Sequence, residues 1–190
     1  AKYGAINLHL APLPQYRGVS PIGLAMLNGE SDFGVSLHYI DPGVDTGDII
    51  SQVFFNIKTI ENARLLYDLA VIKAGELFAE AIDDILMLSN SRVPQDNSKA
   101  LYFSKASINF KENKINFNKD SKSLVNWTKA FIFHPFQYPI FILEKKTYEV
   151  VAVSPDYRKN KFEKPGTVMF SDGKVFKFST HDSYINLIVK

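Results

Sequence analysis

The segment Gly4–Leu10, GAINLHL, is apolar along most of its length and reads as a short buried strand. A strand apolar on both faces belongs inside a parallel sheet that helices cover from either side. Here that strand is the first element of the chain, and residues 1–98 cannot supply all the neighbours it needs. The expectation is an α/β fold in which this chain holds the C-terminal half of a larger sheet. On that reading the natural protein continues upstream by at least two strand–helix units, roughly 60 residues. Position 1 is Ala, not Met, which agrees with it.

Beyond this strand comes a loop with Pro12, Pro14 and Gly18, then Ser20 before Pro21, an N-cap and first-turn pair. The helix they open ends near Asn28-Gly29. Phe33–Ile40 predicts a second strand, Asp41–Asp48 a loop and Ile49–Lys58 a third strand. Thr59 caps a predicted long helix over about Ile60–Leu88, with Leu65, Leu69, Ile72, Phe78, Ile82 and Leu86 on one apolar face. The polar run Ser89–Lys99 reads as a linker. After it, Ser121–Phe133 predicts a short helix carrying Trp127. Strands follow at Ile140–Val153, Gly166–Phe170, Val175–Ser179 and Tyr184–Val189, with Ser171–Lys174 as a hairpin turn. The expected domains are thus an α/β domain over residues 1–98 and a small β-rich domain over residues 99–190.

Charge divides at the same place. Residues 1–98 carry 6 Lys/Arg against 12 Asp/Glu, and residues 99–190 carry 16 against 8. A basic half invites an anionic partner such as a nucleotide or nucleic acid, although a solvated Lys-rich surface produces the same count. With no cysteine, disulfides and thiol catalysis are excluded, and a cytoplasmic location is expected. The four histidines, His9, His38, His134 and His181, share no metal-site spacing, so no metal is expected. No apolar run reaches the roughly 18 residues of a membrane span.

Side chains at i and i+2 of a strand share a face, so Asn7 and His9 project together at the strand's carboxyl end. Asp45 lies in the loop after the second strand, which is also a carboxyl end if the two strands run parallel. An amide, an imidazole and a carboxylate meeting there suit acyl transfer. The imidazole takes the proton of the attacking amine, the amide holds the developing oxyanion, and the carboxylate sets the imidazole's tautomer. Spacing alone leaves the bland reading open: a core histidine, and an aspartate that serves a turn.

The strings NLHLAPLPQYRG, PIGLAMLNGE and FGVSLHYIDPGVDTGDIISQ together resemble the formyltransferase family. Its members include glycinamide ribonucleotide transformylase, methionyl-tRNA formyltransferase and the sugar N-formyltransferases. The family's Asn-x-His motif falls on Asn7 and His9, and its Asp-x-Gly pattern on Asp45-Thr46-Gly47-Asp48. The likeness runs without a gap over Gly4–Gln52 and continues more weakly through Trp127–Pro139 and Pro165–Val189. Leu10 and Ala11 replace the commoner Pro and Ser, which brings the string nearer the sugar enzymes. Lys129-Ala130 and His134–Pro139 replace an Arg and a Pro-Gly turn, which argues against a tRNA substrate.

The resemblance implies a Rossmann-like sheet followed by a C-terminal β domain, with Asn7, His9 and Asp45 as catalytic residues. The co-substrate it implies is 10-formyltetrahydrofolate, held by Tyr39, Asp41, Gly43 and Val44 in the folate-binding loop. Arg17, Phe136 and Tyr138 are the candidate substrate contacts: Arg17 meets a phosphate or pins the loop past His9, and the two rings stack on a base or belong to the core of the β region. The expected acceptor is a dTDP- or UDP-linked 4-amino-deoxy sugar, with methionyl-tRNA as the alternative. A homodimer is allowed, and neither a membrane nor a nucleic acid is an expected partner.

Overall fold

A computed structural model describes residues 4–159 and 163–190 and forms the opening segment into strand β1, Ile6–His9. Next come β2 (Arg17–Gly18), helix α1 (Pro21–Asn28), β3 (Asp32–Tyr39), β4 (Ile49–Asn56) and the long helix α2 (Ala63–Leu86). By contact pattern the chain splits into two units. One takes in the described residues up to Ala25, Glu30–Thr59 and Leu65–Asn109, and the other Met26–Gly29, Ile60–Arg64 and Phe110–Lys190.

In the first unit, β1, β3 and β4 form a sheet in the order β1-β3-β4, with both pairs antiparallel. The parallel arrangement that would align two carboxyl ends is therefore absent. β1 stands at one edge and most of it is half-buried, whereas β3 holds Phe33 through His38 fully buried. The strand covered on both faces is β3. Register then sorts the side chains, because directly opposed residues of an antiparallel pair share a face. Asn7 opposes His38 and His9 opposes Ser36 on one face. Ile6 opposes Tyr39 and Leu8 opposes Leu37 on the other, where they pack with Ile50 and Leu77. The polar face is the one free to build a site.

Helix α1 ends as expected. Gly29 takes a φ of +68°, and Glu30 N–H closes on the Ala25 carbonyl at 3.1 Å, a C-cap that favours glycine. Its start differs: Ser20 has a φ of +59°, away from the extended conformation of an N-cap. In α2 the expected apolar face is the wrong one. Leu65, Ile72, Phe78 and Leu86 are exposed, while Ala63, Leu66, Ala70, Ala74 and Leu77 are buried. Alanines let a helix approach its neighbours closely, and the larger side chains are left on the rim. α2 also begins at Ala63, three residues after the position that Thr59 would cap.

The polar run Ser89–Lys99 is not a free linker. Val93 and Ile49 exchange backbone hydrogen bonds at 2.8 and 2.9 Å. A 3-10 turn over Asn97–Lys99 leads to β5 (Tyr102–Phe103), which pairs parallel with β2.

The second unit contains α3 (Ser121–Phe131), capped by Asp120, and a five-stranded antiparallel sheet. Its strands are β6 (Ile140–Leu143), β7 (Lys146–Asp156), β8 (Val168–Ser171), β9 (Val175–Ser179) and β10 (Tyr184–Val189). The single strand expected over Ile140–Val153 is a hairpin, turned by Glu144 and Lys145 at φ values of +49° and +65°. Phe141, Phe176 and Phe178 pack ring to ring in its core with Leu124, Ile185 and Leu187. Burying each such ring stabilises the unit by about 1.5–3 kcal/mol. Among the described residues no helix is long and apolar enough to cross a membrane.

Candidate active site

His9 ends β1 at 8% exposure, with its Nε2 2.9 Å from the Tyr16 carbonyl. A carbonyl can only accept, so Nε2 carries the proton and Nδ1 the lone pair. That lone pair faces Asp45 Oδ2 at 3.7 Å, too long for a hydrogen bond. Tyr16, not Asp45, sets the tautomer of His9. What Asp45 supplies is negative charge beside the basic nitrogen.

His38 stands between Asn7 and Asp45 at 2% exposure. Its Nδ1 donates to the Tyr39 carbonyl at 2.7 Å, so Nε2 accepts from Asn7 Nδ2 at 3.2 Å. That bond leaves the second N–H of the Asn7 amide for another acceptor. Asp45 Oδ1 lies 3.7 Å from the same His38 nitrogen. Burial pushes the His38 pKa below its usual 6.5, against the Tyr39 carbonyl and the Asp45 charge, so the ring is neutral.

Asp45 reaches this polar face because the loop after β3 turns back over it. Tyr39 N–H bonds the Asp48 carbonyl at 2.9 Å, and a Cβ on Gly47 would sit 1.9 Å from the Tyr39 oxygen. Only glycine allows that approach. Asp45 itself has a φ of +53°, a conformation that costs about 1 kcal/mol and that Asp tolerates better than most residues. Its Oδ2 accepts from Gly18 N–H at 2.8 Å. Asp41 ties the front of the loop, its Oδ1 accepting from Gly43 N–H at 3.1 Å and Thr46 Oγ1 at 2.5 Å.

Asn7, His38, Ile40, Asp41, Gly43, Val44 and Asp45 line an open cleft of about 240 Å³. Two of the expected catalytic residues, Asn7 and Asp45, and three of the four expected folate contacts therefore line one cleft, and His9 stands 3.7 Å from Asp45 without lining it. The fourth, Tyr39, turns its ring to the opposite face, because it neighbours His38 on a strand. There its hydroxyl bonds Asn90 and Arg92 stacks over the ring at 4.0 Å. Arg17 is buried, its guanidinium bound to Gln95 and Asn97. Phe136 and Tyr138 belong to the second unit. Phe136 is 81% exposed, whereas Tyr138 is buried, bonded to His134 and covered by the Lys190 ammonium at 3.6 Å. Only Phe136 offers an open face for stacking. Among the described residues no group of three or more His, Asp or Glu could hold a metal ion.

Sequence reasoning missed two participants and left a third open. The Tyr16 carbonyl carries no residue-specific signal. Gln95 lies in a run whose composition reads as linker. His38 reads as either core or a support of the site, and only the register with Asn7 shows its partner.

The Formyl transferase family matches residues 1–82, and its C-terminal domain matches residues 107–189. The chain belongs to this family. Methionyl-tRNA formyltransferase from Staphylococcus aureus strain MW2 is 31% identical over 183 residues, which is 96% of this chain and 57% of that protein. The chain thus spans little more than half the length of such a formyltransferase. An N-formyltransferase from Helicobacter canadensis, solved with folinic acid and dTDP-3-aminofucose, superposes with a TM-score of 0.82 at 31% identity. That match covers 97% of this chain and 66% of the other. WlaRD, a sugar 3N-formyltransferase solved with dTDP and 5-N-formyl-THF, gives 0.80 at 32% identity over 97% and 64% of the two chains.

Proposed function

We propose that the site transfers a formyl group from 10-formyltetrahydrofolate to the amine of a dTDP- or UDP-linked amino sugar. The observation that carries the reaction is that Asn7 and Asp45 line one cleft, with His9 Nδ1 3.7 Å from the Asp45 carboxylate. When bound, 10-formyltetrahydrofolate supplies an activated formyl carbon. The cleft suits it: Ile40 and Val44 expose apolar side chains at its rim, beside the Gly43 backbone and the Asp41 carboxylate. Asp41, Gly43 and Val44 hold its ring system on this reading.

Chemistry follows from the atoms left free. The acceptor amine attacks the formyl carbon as His9 Nδ1 takes its proton. The imidazolium so formed has Asp45 Oδ2 3.7 Å away, which stabilises its charge. The bond from the formyl carbon to the folate N10 then breaks, and N10 receives the proton from His9, so that the products are the formamide and tetrahydrofolate. The spare N–H of Asn7 donates to the formyl oxygen as negative charge gathers there. Neutral His38 keeps the Asn7 amide turned so that its nitrogen, not its oxygen, points that way.

Similarity to two sugar N-formyltransferases over 97% of the chain supports the sugar acceptor. A second reading, methionyl-tRNA formylation, is favoured by the Staphylococcus aureus relatives. The full-length protein with 10-formyltetrahydrofolate separates them. Saturable transfer to a dTDP- or UDP-linked 3-amino or 4-amino sugar is expected, with a log–log salt slope of about −1 to −2 for binding. Submicromolar binding of initiator tRNA with a slope near about −5, and no transfer to any sugar nucleotide, would replace the first reading with the second.

A further inference from the structure

We infer that Gln95 is a positioning residue for Asp45, working from the polar run whose composition reads as a linker. The inference rests on the catalytic reading of Asp45 given above. Gln95 Nε2 donates to the Asp45 carbonyl at 2.9 Å and to the Gly47 carbonyl at 2.7 Å. Its Oε1 accepts from Arg17 Nε at 3.0 Å and Nη2 at 2.7 Å. Both amide protons and both oxygen lone pairs are thereby used. The orientation is unambiguous, since a flipped amide would set two donors against a guanidinium and an oxygen against two carbonyls.

This saturated amide grips the loop on either side of the residue that most needs holding. Asp45 sits in the left-handed region, and with no tie on its own carbonyl or on Gly47 the loop would relax toward commoner conformations. Gln95 also grips Arg17, whose neighbour Gly18 donates to Asp45 Oδ2. Backbone and carboxylate of Asp45 therefore both depend on one side chain 50 residues downstream. The strap is itself anchored. Arg17 bonds Asn97 at 2.9 Å, Arg17 N–H bonds the Leu101 carbonyl at 2.9 Å, and Val19 N–H bonds the Phe103 carbonyl at 3.0 Å. Arg17 is 7% exposed, which makes it a support of the carboxylate more than a contact for substrate phosphate.

Gln95→Met keeps the side chain's length and removes its bonds to Asp45, Gly47 and Arg17. In the ligand-free, full-length protein the Gly18 amide should lose at least tenfold in hydrogen-exchange protection. The Val19 amide, held by strand pairing alone, should keep its protection. In formyl transfer, Gln95→Met should lower kcat by roughly 10- to 100-fold with KM for both substrates within threefold. In an Asp45→Asn background the same substitution should cost less than threefold, because a residue that acts through Asp45 has nothing left to position. Equal loss in both backgrounds, or a Gly18 amide still protected in Gln95→Met, overturns the inference. If instead Asp45→Asn alone leaves turnover intact, the catalytic reading of Asp45 is what fails. Gln95→Glu, which keeps an acceptor for Arg17 but has no donor for the two carbonyls, gives the same readouts should the Met variant not fold.

Discussion

At the scale of single residues, the site depends on which nitrogen of each imidazole is already engaged. The Tyr16 carbonyl occupies His9 Nε2, and the Tyr39 carbonyl occupies His38 Nδ1. One ring is left to take a proton beside a carboxylate, and the other to steady an amide. Replacing His9 by Asn should lower turnover by roughly 10²–10⁴-fold with little change in folate affinity, and Asn7→Ala by roughly 10²–10³-fold. Steady-state kinetics with a folate-binding titration checks both; turnover of His9→Asn within threefold of the parent would remove His9 from the mechanism. His38 adds a dependence on pH. Its pKa lies below 6.5 in the folded chain, so below that pH the unfolded chain binds the extra proton. Its contribution to stability is thus present above about pH 6.5 and is lost as the pH falls under it. Urea unfolding at pH 7.5, 6 and 5 should show that decline, and His38→Gln should flatten it.

Among the elements, the hairpin between β6 and β7 shows where local sequence misleads. Glu144 and Lys145 both occupy left-handed conformations, as a two-residue turn of this kind requires, yet neither is a residue that favours them. A run without Asn or Gly therefore read as one continuous strand. Glu144→Asn together with Lys145→Gly should stabilise the protein by about 1 kcal/mol, seen as a higher urea midpoint at unchanged slope. A midpoint that falls would show that the native pair makes contacts worth more than the relief of strain. Strands Val175–Ser179 and Tyr184–Val189 emerged with the ends expected of them, because alternation and the Asp172-Gly173 turn agree there. Helix α2 was found but its face was not, since leucine periodicity cannot reveal that the alanine stripe faces inward.

For the molecule as a whole, the common face of Asn7 and His9, the α/β-then-β order and the break in charge were legible in the chain. These are properties of neighbouring residues: period-two spacing on a strand, glycines that allow a tight return, and a change in composition. Asp45 was joined to that face only by the family resemblance. How Asp45 reaches His9 was not legible. The two strands run antiparallel, so the loop after β3 must fold back over the face that β1 presents, and it is held there by a glutamine from a polar run. The sequence by itself determined the chemical groups and the faces on which they sit. Only the tertiary structure decided their partners, because strand direction, hydrogen-bond acceptors on backbone carbonyls and ties spanning 50 residues are set by packing and leave no local pattern to read.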